Sequence, residues 1–394
     1  MARTTAKAPS RTAAGAVKPG AGTAPGAGSV IPAPRLLPWQ AQAVEQLRLA
    51  WHAARLPHAL LVQGAEGVGK RGFATWLARA VLCDASQERA QSRTLRAAAE
   101  SPPPPLVDEL PGDSAGGGLE GCGHCASCLL IHAGSHPDLW WVAPEEGKQQ
   151  ISVEQVRAAT ERLAKTSYRQ GYKVAVIEPA HQMTSAAANS LLKTLEEPSP
   201  GSLLVLLTSR ASSLLPTVRS RCQKIMIPRP PDSQALVWLA EQTGQSPDAA
   251  LLEFAGGGPL RALDYAERFA ALDLQMQKDL GELLSGHTDM SRVAAEWAKE
   301  ILPERLIWLD LWLTSVARGL LAGNADRITF PGRRMHLPSL PHALNISSVY
   351  ALVDRLRALR AQLSRTALQR ELAVESWLIG LLDVLRAAHV AQRR

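Results

Sequence analysis

The sequence HALLVQGAEGVGKR occupies residues 58–71, and the rest of the chain is arranged around it. An apolar run enters a glycine-rich turn that ends in Gly-Lys, which fits the phosphate-binding pattern G-x-x-x-x-G-K-[ST]. Gly64, Gly69 and Lys70 match the pattern, and Gly67 lies in the same turn. The glycines let backbone N–H groups turn toward a phosphate, while Lys70 would reach the outer phosphates of a nucleotide.

At its last position the sequence departs from this phosphate-binding pattern. Arg71 stands where a Ser or Thr hydroxyl would ligate magnesium, and a guanidinium has no acceptor atom and repels a cation. Nucleotide hydrolases of this type also carry an Asp-Glu pair after the neighbouring strand, for magnesium and for the attacking water. Here the pair is Glu178-Pro179, and Pro179 has no carboxylate. We expect ATP or ADP binding to remain possible, with little or no hydrolysis by this chain alone.

Strand-like and helix-like patterns alternate around the turn. The predicted strands are short apolar runs at residues 60–63, 173–178, 203–208 and 224–227. The predicted helices have amphipathic periodicity, at residues 36–58, 73–83, 151–165 and 185–195. Such alternation predicts the α/β class, a parallel sheet with helices on both faces, with ligands at the carboxyl ends of the strands.

Composition indicates a cytoplasmic protein. Of the 394 residues, 46% are hydrophobic and 20% are charged. No apolar run approaches the roughly eighteen residues that a membrane helix needs, so no membrane partner is expected. No secretory signal is recognisable at the N-terminus either.

Residues 1–34 are rich in Ala, Gly, Pro and Thr and lack apolar periodicity, so we predict a disordered basic tail. A transit peptide is the alternative, although Gly and Pro interrupt the amphipathic helix that it would need. The tail carries four charges of the net +7, which leaves +3 for the remainder. This charge is too small to indicate nucleic-acid binding by the folded part.

Composition changes divide the rest of the chain. Residues 84–121 contain runs of Pro and of Gly, which predict an unstructured insertion within the α/β domain at residues 35–229. Beyond it, residues 230–271 read as a small helical lid domain and residues 272–394 as an all-helical collar or oligomerisation domain. The tryptophans on the apolar faces of the collar are interpreted as core residues. They are Trp297, Trp308, Trp312 and Trp377.

Four cysteines have the spacing of a metal site. Cys122, Cys125 and Cys128 lie within one short segment, CGHCASC, and Cys83 at the end of the first α/β helix can supply a fourth thiolate if residues 84–121 loop out. This set favours one structural zinc ion. The alternatives are a fourth ligand from His124, His132 or His136, an iron–sulfur cluster, or a redox pair without metal.

Several of these features together resemble one family. The glycine turn, the cysteine cluster after its helix, the sequence AANSLLKTLEEP at residues 187–198 and Ser-Arg-Cys at residues 220–222 look like those of bacterial DNA polymerase III clamp-loader subunits. The gamma and tau members keep an intact Asp-Glu pair and a Ser or Thr after the lysine, so this chain is more similar to members that lack both. The resemblance implies an AAA+ module, followed by a lid and a collar that packs subunits into a pentamer.

The resemblance also implies roles for particular residues. Arg221 would act as an arginine finger, reaching ATP that is bound by the neighbouring subunit. Thr208 and Ser209 would sense the nucleotide phosphate, Arg261 would be a second sensor in the lid, and Glu178 belongs to the same degenerate site. The implied partners are the gamma/tau and delta subunits, with the sliding clamp and primer-template DNA contacted through the assembled complex near the nucleoid.

Two other functions are compatible with the residues themselves. A free-standing AAA+ ATPase would use Lys70 and Glu178 itself. A zinc-stabilised DNA-binding protein would keep the glycine turn only as a remnant.

Overall fold

The computed structural model describes residues 36–89, 119–169, 171–246, 248–322, 329–330, 333–334, 344–363 and 369–392. The predicted tail at residues 1–34 lies outside these residues, and so does most of the predicted insertion. Both edges of that insertion are ordered, however. Residues 84–89 are helical, and Leu119 is fully buried in the core beside the sheet. The predicted limits of the insertion were therefore too wide, because the sequence at its edges still packs against the domain.

A five-stranded parallel sheet forms the first half of the molecule. Its strands in chain order are β1 Ala59–Gln63, β2 Leu139–Val142, β3 Lys173–Ile177, β4 Ser202–Thr208 and β5 Gln223–Met226. Their spatial order is β2-β3-β4-β1-β5, so β1 lies between β4 and β5. In this register Leu61 is beside Leu206 on one neighbour and Lys224 on the other.

Helices cover both faces of the sheet, as predicted. Leu60 and Val62 point into one core with the helix α1 Ala41–His52 and the helix α2 Lys70–Leu82. Leu61, between them, points into a second core on the other face. Strand residues alternate between faces, and both faces of a parallel sheet are normally covered, which is why β1 is a continuous apolar run.

Three further helices pack on the second face. They are α4 Val153–Ala164, α5 Ser185–Ser190 and α6 Leu192–Glu196, while α3 Ala126–His132 packs near α2 and α7 Pro216–Arg219 precedes β5. The single helix predicted at residues 185–195 is interrupted at Leu191. The Ser190 hydroxyl donates to the Ala187 carbonyl at 2.7 Å, a local bond that is associated with bent helices.

The described residues of the second half form helices, with one pair of two-residue antiparallel strands, Thr329–Phe330 and Arg333–Arg334. The helices are α8 Asp232–Thr243, α9 Ala249–Phe254, α10 Pro259–Leu284, α11 Met290–Lys299, α12 Leu302–Leu321, α13 Ile346–Leu363 and α14 Arg370–Gln392. Within the described part of the chain, no helix is long and apolar enough to cross a membrane.

The lid and the collar are continuous. Helix α10 runs through residue 271, where the sequence suggested a domain border, and buried residues from α8 to α14 form one core. The four collar tryptophans are buried in this core, as expected. The Trp308 indole donates to Asp273 at 2.8 Å, so a polar atom of the core is also satisfied.

Candidate functional site

The glycine turn joins β1 to α2 in a tightly packed loop. Gly67 and Gly69 have φ angles of 75° and 88°, in the left-handed region that L side chains rarely adopt. A Cβ atom on Gly67 would lie 2.6 Å from the Arg261 Cβ, and one on Gly69 would lie 2.5 Å from the Leu37 Cδ1. Both positions therefore require glycine for conformation and for space.

Residues before α1 hold this turn from outside. The Trp39 indole donates to the Val68 carbonyl at 2.9 Å, and the Gln40 amide donates to the Gly69 carbonyl at 2.9 Å. Gln40 is fully buried. Sequence reasoning missed both residues, because an indole and an amide on a predicted helix give no sign of the distant carbonyl groups that they bind.

Lys70 lies inside the turn. Its Nζ donates to the Gly64 carbonyl at 2.9 Å and to the Ala65 carbonyl at 2.6 Å. Burial lowers the pKa of Lys70, while Glu66 and Glu178 oppose that shift. The ammonium is thus held by oxygen atoms of the chain at the position that a phosphate would approach.

Arg71 and Glu178 form an ion pair next to the turn. The Arg71 Nε lies 3.5 Å from a Glu178 carboxylate oxygen, and the guanidinium lies 5.4 Å from the centre of the Trp141 ring. Burial raises the pKa of Glu178, and the two cations Arg71 and Lys70 oppose this effect. The acid expected to help bind magnesium therefore already has a cationic partner within the chain. Trp141 belongs to β2, a strand that the sequence analysis did not predict.

The predicted phosphate sensor at the end of β4 is buried and fully bonded. The Thr208 hydroxyl lies 3.1 Å from His181 Nδ1 and accepts from the Arg210 backbone N–H at 3.0 Å. The Thr208 carbonyl accepts from Gly64 N–H at 3.3 Å, which ties the strand end to the turn. Burial, and after it Arg210, lowers the pKa of His181. The sequence analysis did not single out His181.

The predicted lid arginine also reaches the turn. Arg261, near the start of α10, donates to a Glu66 carboxylate oxygen at 2.8 Å, and the other oxygen lies 3.4 Å from the Ser209 hydroxyl. A backbone hydrogen bond also joins the lid to the turn, because the Leu260 N–H donates to the Gly67 carbonyl at 3.0 Å. Glu66 therefore links the turn, the lid and the sensor strand. The glycine pattern leaves its position unspecified, so sequence reasoning missed it.

The four predicted metal-ligating cysteines converge. The sulfur atoms of Cys83, Cys122, Cys125 and Cys128 lie within 4.8 Å of one another, with Cys83 and Cys125 at 3.9 Å. Tetrahedral zinc with bonds of about 2.3 Å needs sulfur atoms about 3.8 Å apart, so the spacing fits. Backbone N–H groups point at three of the sulfurs, at 3.3 to 3.4 Å. These four cysteines could hold a metal ion.

The cysteines of the cluster differ in their tendency to ionise, and burial raises the pKa of Cys125. A hydrogen bond from Cys128 lowers the pKa of Cys83 to about 4, and the shared proton raises the pKa of Cys128. Arg79 contributes a positive charge close to Cys128. In the described part of the chain no histidine belongs to the cluster, and His124 instead has its Nδ1 2.9 Å from the Cys122 carbonyl. The set of four cysteines is therefore preferred over a set with histidine.

Arg221 lies away from the glycine turn, on the surface after α7. Its guanidinium lies 2.6 Å from a Glu196 carboxylate oxygen and donates to the Thr217 carbonyl at 3.1 Å. The neighbouring Cys222 is buried, and burial raises its pKa to about 11. Ser-Arg-Cys thus presents a charged side chain outward from a residue that is anchored in the core.

Comparison with known proteins supplies the family. The family described as "DNA polymerase III, delta subunit" matches residues 39–102 and 106–231, and its C-terminal counterpart matches residues 274–383. DNA polymerase III subunit delta' of Escherichia coli strain K12 is 32% identical over 358 residues, which cover 89% of this chain and 97% of the relative. The same subunit of Pseudomonas aeruginosa strain PAO1 is 32% identical over 350 residues, covering 87% and 96%.

Among solved structures, a gamma subunit-related protein of DNA polymerase III from Thermotoga maritima aligns with 88% of this chain and 99% of its own length. Its identity is 17% and its TM-score is 0.37, so the superposition carries no functional argument. The assignment depends instead on the two sequence matches, which cover 89% and 87% of this chain, and on the family regions in both halves of the molecule. This chain belongs to the DNA polymerase III subunit delta' family.

Proposed function

We propose that this chain is a clamp-loader subunit that does not hydrolyse ATP itself and supplies Arg221 to ATP bound by a neighbouring subunit. The observation that carries the first part is the Arg71–Glu178 ion pair. A guanidinium beside the only acid of the Glu178-Pro179 pair excludes magnesium electrostatically, and proline cannot position water. The chain would complete the loader ring and help to place the sliding clamp on primed DNA.

The position of Arg221 supports the second part. Its side chain is 37% exposed, and that of its partner Glu196 is 52% exposed. Ion pairs exposed to this extent contribute about 0–1 kcal/mol, so a phosphate of a neighbouring subunit could replace Glu196 at little cost. A guanidinium fixed in this way stabilises charge that develops on the transferring phosphoryl group.

Reconstitution of the loader tests the finger. The chain carrying Arg221→Ala is assembled with gamma/tau and delta subunits, the sliding clamp and primed DNA, and ATP turnover is measured. We expect hydrolysis at the adjoining site to fall by about 10³-fold, since arginine fingers commonly contribute that much or more. Arg219→Ala is the matched control, because it removes an arginine two positions earlier. Unchanged turnover with Arg221→Ala would contradict the assignment.

A structural zinc ion is part of the same proposal. Cys83, Cys122, Cys125 and Cys128 would be its ligands, and four thiolates leave no open coordination position for chemistry. The ion would connect the end of α2 to the start of α3, and thus fix the segment that follows the predicted insertion. Zinc would act on folding rather than on ATP.

The proposed partners are gamma/tau and delta subunits in the cytoplasm, with DNA and the sliding clamp contacted through the assembly. The continuous core from α8 to α14 supports this organisation, because it packs the lid and the collar helices against one another within the chain. We propose that nucleotide, if bound at Lys70, stabilises the subunit without being consumed.

A further inference from the structure

A cavity of about 440 Å³ lies where the α/β domain, the lid helix and the collar meet. One wall is apolar and comes from the first turns of α12. The rest is dominated by five arginines from four separate segments. They are Arg210, Arg261, Arg357, Arg360 and Arg370.

The arginines of this cavity are only partly neutralised. Arg357 and Arg360 share Asp310, at 2.9 and 3.9 Å, and Arg261 binds Glu66 of the glycine turn. Across the described ranges of the chain, Arg210 and Arg370 form no ion pair. Five guanidinium groups facing two carboxylates leave an excess of three positive charges.

This concentration of charge costs free energy in the absence of an anion. Burial lowers the pKa of Arg360, Asp310 opposes the shift, and Arg261 and Arg357 lower that pKa further. Like charges held together in a folded chain destabilise it unless a counter-ion is bound. Helix α12 adds to the effect, because the positive end of its dipole lies at Leu302 and Pro303, which line the cavity.

The size and the two walls restrict the ligand. A volume of about 440 Å³ is in the range of small-molecule sites and suits one nucleotide rather than a folded partner. Arginine forks bind phosphate oxygens in a bidentate manner, and an apolar wall accepts the face of a base. The cavity also adjoins the phosphate-type turn, since Arg261 lines the cavity and binds Glu66.

We propose that this arginine cavity binds a nucleotide carrying two or more phosphates, at a site separate from the Lys70 turn. The phosphates lie against Arg210, Arg360 and Arg370, and the base lies against the start of α12. Binding there couples the collar to the α/β domain, because the ligand contacts segments from both. The site is independent of the proposed role of Arg221.

Calorimetric titration of the full chain tests the proposal, with ATP and inorganic tripolyphosphate as probes. All variants carry Lys70→Ala, which removes the ammonium of the glycine turn. We expect ATP to bind this background and tripolyphosphate to compete with it. The added pair Arg210→Ala and Arg370→Ala should weaken binding by about tenfold or more, since it removes charge-assisted hydrogen bonds.

The pair Arg219→Ala and Arg386→Ala is the matched control, because it removes the same charge from surface positions outside the cavity. Melting temperatures check that all variants fold. The proposal is overturned if the Lys70→Ala chain binds no ATP, or if the control pair weakens binding as strongly as the cavity pair. It is also overturned if only a single-stranded oligonucleotide binds and tripolyphosphate does not compete.

Discussion

The two ends of helix α2 differ in how their charged and ionisable groups are paired. At its start, the cations of the glycine turn are already bound within the chain, Lys70 by loop carbonyls and Arg71 by Glu178. At its end, Cys83 meets three other cysteines whose sulfur atoms have mainly one another as neighbours. One end of the helix has its cations paired within the chain, and the other gathers four sulfur atoms that could hold a metal ion.

If the proposed metal binds, this difference predicts that the cysteine end of the helix depends on it more than the glycine turn depends on a nucleotide. Four thiolates at these distances would repel one another unless a cation lay between them, so binding of the proposed metal would be coupled to folding there. A turn whose lysine and arginine have partners gains much less from a nucleotide. We therefore expect the cysteine end of α2, at Cys83, to control the stability of the α/β domain. The nucleotide end, at Lys70 and Arg71, should contribute little to that stability.

Removing a cysteine ligand should have the largest effect. For Cys128→Ser we expect loss of bound metal and a fall of about 4 kcal/mol or more in the free energy of unfolding, as for other lost metal sites. Metal analysis by mass spectrometry and urea unfolding measure the two quantities. Cys222→Ser is the control. Cys222 is buried outside the cluster, so the protein with this substitution should retain its metal. Stoichiometric iron, or no metal in the unmodified chain, would contradict the zinc proposal.

The glycine turn should be sensitive to its shape. Gly67→Ala adds a Cβ at a φ of 75° and 2.6 Å from the Arg261 Cβ, and we expect it to lower the free energy of unfolding by about 2 kcal/mol. Gly72→Ala is the matched control within α2. Apart from its chain neighbours and the backbone of its own helix, no atom lies within 4 Å of the added Cβ, so Gly72→Ala should stabilise the chain by about 0.5–1 kcal/mol. Equal effects of the two variants in urea unfolding would mean that the turn is not tightly packed against the lid.

The Arg71–Glu178 pair should be visible in the pH dependence of stability. Burial raises the pKa of Glu178 above its usual 4.5, so the folded chain binds this proton more tightly than the unfolded chain. The stability from this group is present below pH 4.5 and is lost as the pH rises through the raised pKa.

Arg71→Met removes the main cation that opposes the shift, so the loss between pH 4.5 and neutrality should become steeper. We expect an additional loss of about 1 kcal/mol at neutral pH for this part-exposed pair, measured by urea unfolding across the pH range. Lys148→Met is the control, since it breaks the exposed pair with Glu145. An unchanged pH profile for Arg71→Met would show that Glu178 does not depend on Arg71.

Features that depend on a short stretch of sequence could be predicted. Four of the five strands were found, because each is an apolar run bounded by polar residues, and the cysteine spacing predicted the cluster. Strand β2, at the edge of the sheet, was missed although Leu139–Val142 is also an apolar run, so the pattern alone was not a sufficient signal for this short strand. The limits of the insertion at residues 84–121 were set by composition, which cannot show that Leu119 reaches the core.

Contacts between distant segments could not be predicted. Arg71 and Glu178 were each recognised as unusual, but their pairing depends on the order of strands in the sheet. Glu66 occupies an unspecified position of the glycine pattern and meets Arg261 only because the lid packs on the turn. The chemistry of the nucleotide end is thus a property of the packed domain, whereas that of the cysteine end is largely a property of one segment.

The smallest expected effect is a change in ATP affinity when Glu66, the acidic residue of the glycine turn, is replaced. Its carboxylate binds Arg261 at 2.8 Å and must give way if a phosphate is to use that arginine. Because the side chains are 52% and 29% exposed, the pair is weak, and we expect Glu66→Gln to raise ATP affinity by about two- to fivefold. Titration with ATP measures this, and Glu253→Gln, which breaks the Arg318 pair in the second half of the chain, is the control. Reduced affinity with Glu66→Gln would mean that the carboxylate organises the turn for nucleotide rather than competing with it, and the nucleotide end would then be a preformed site.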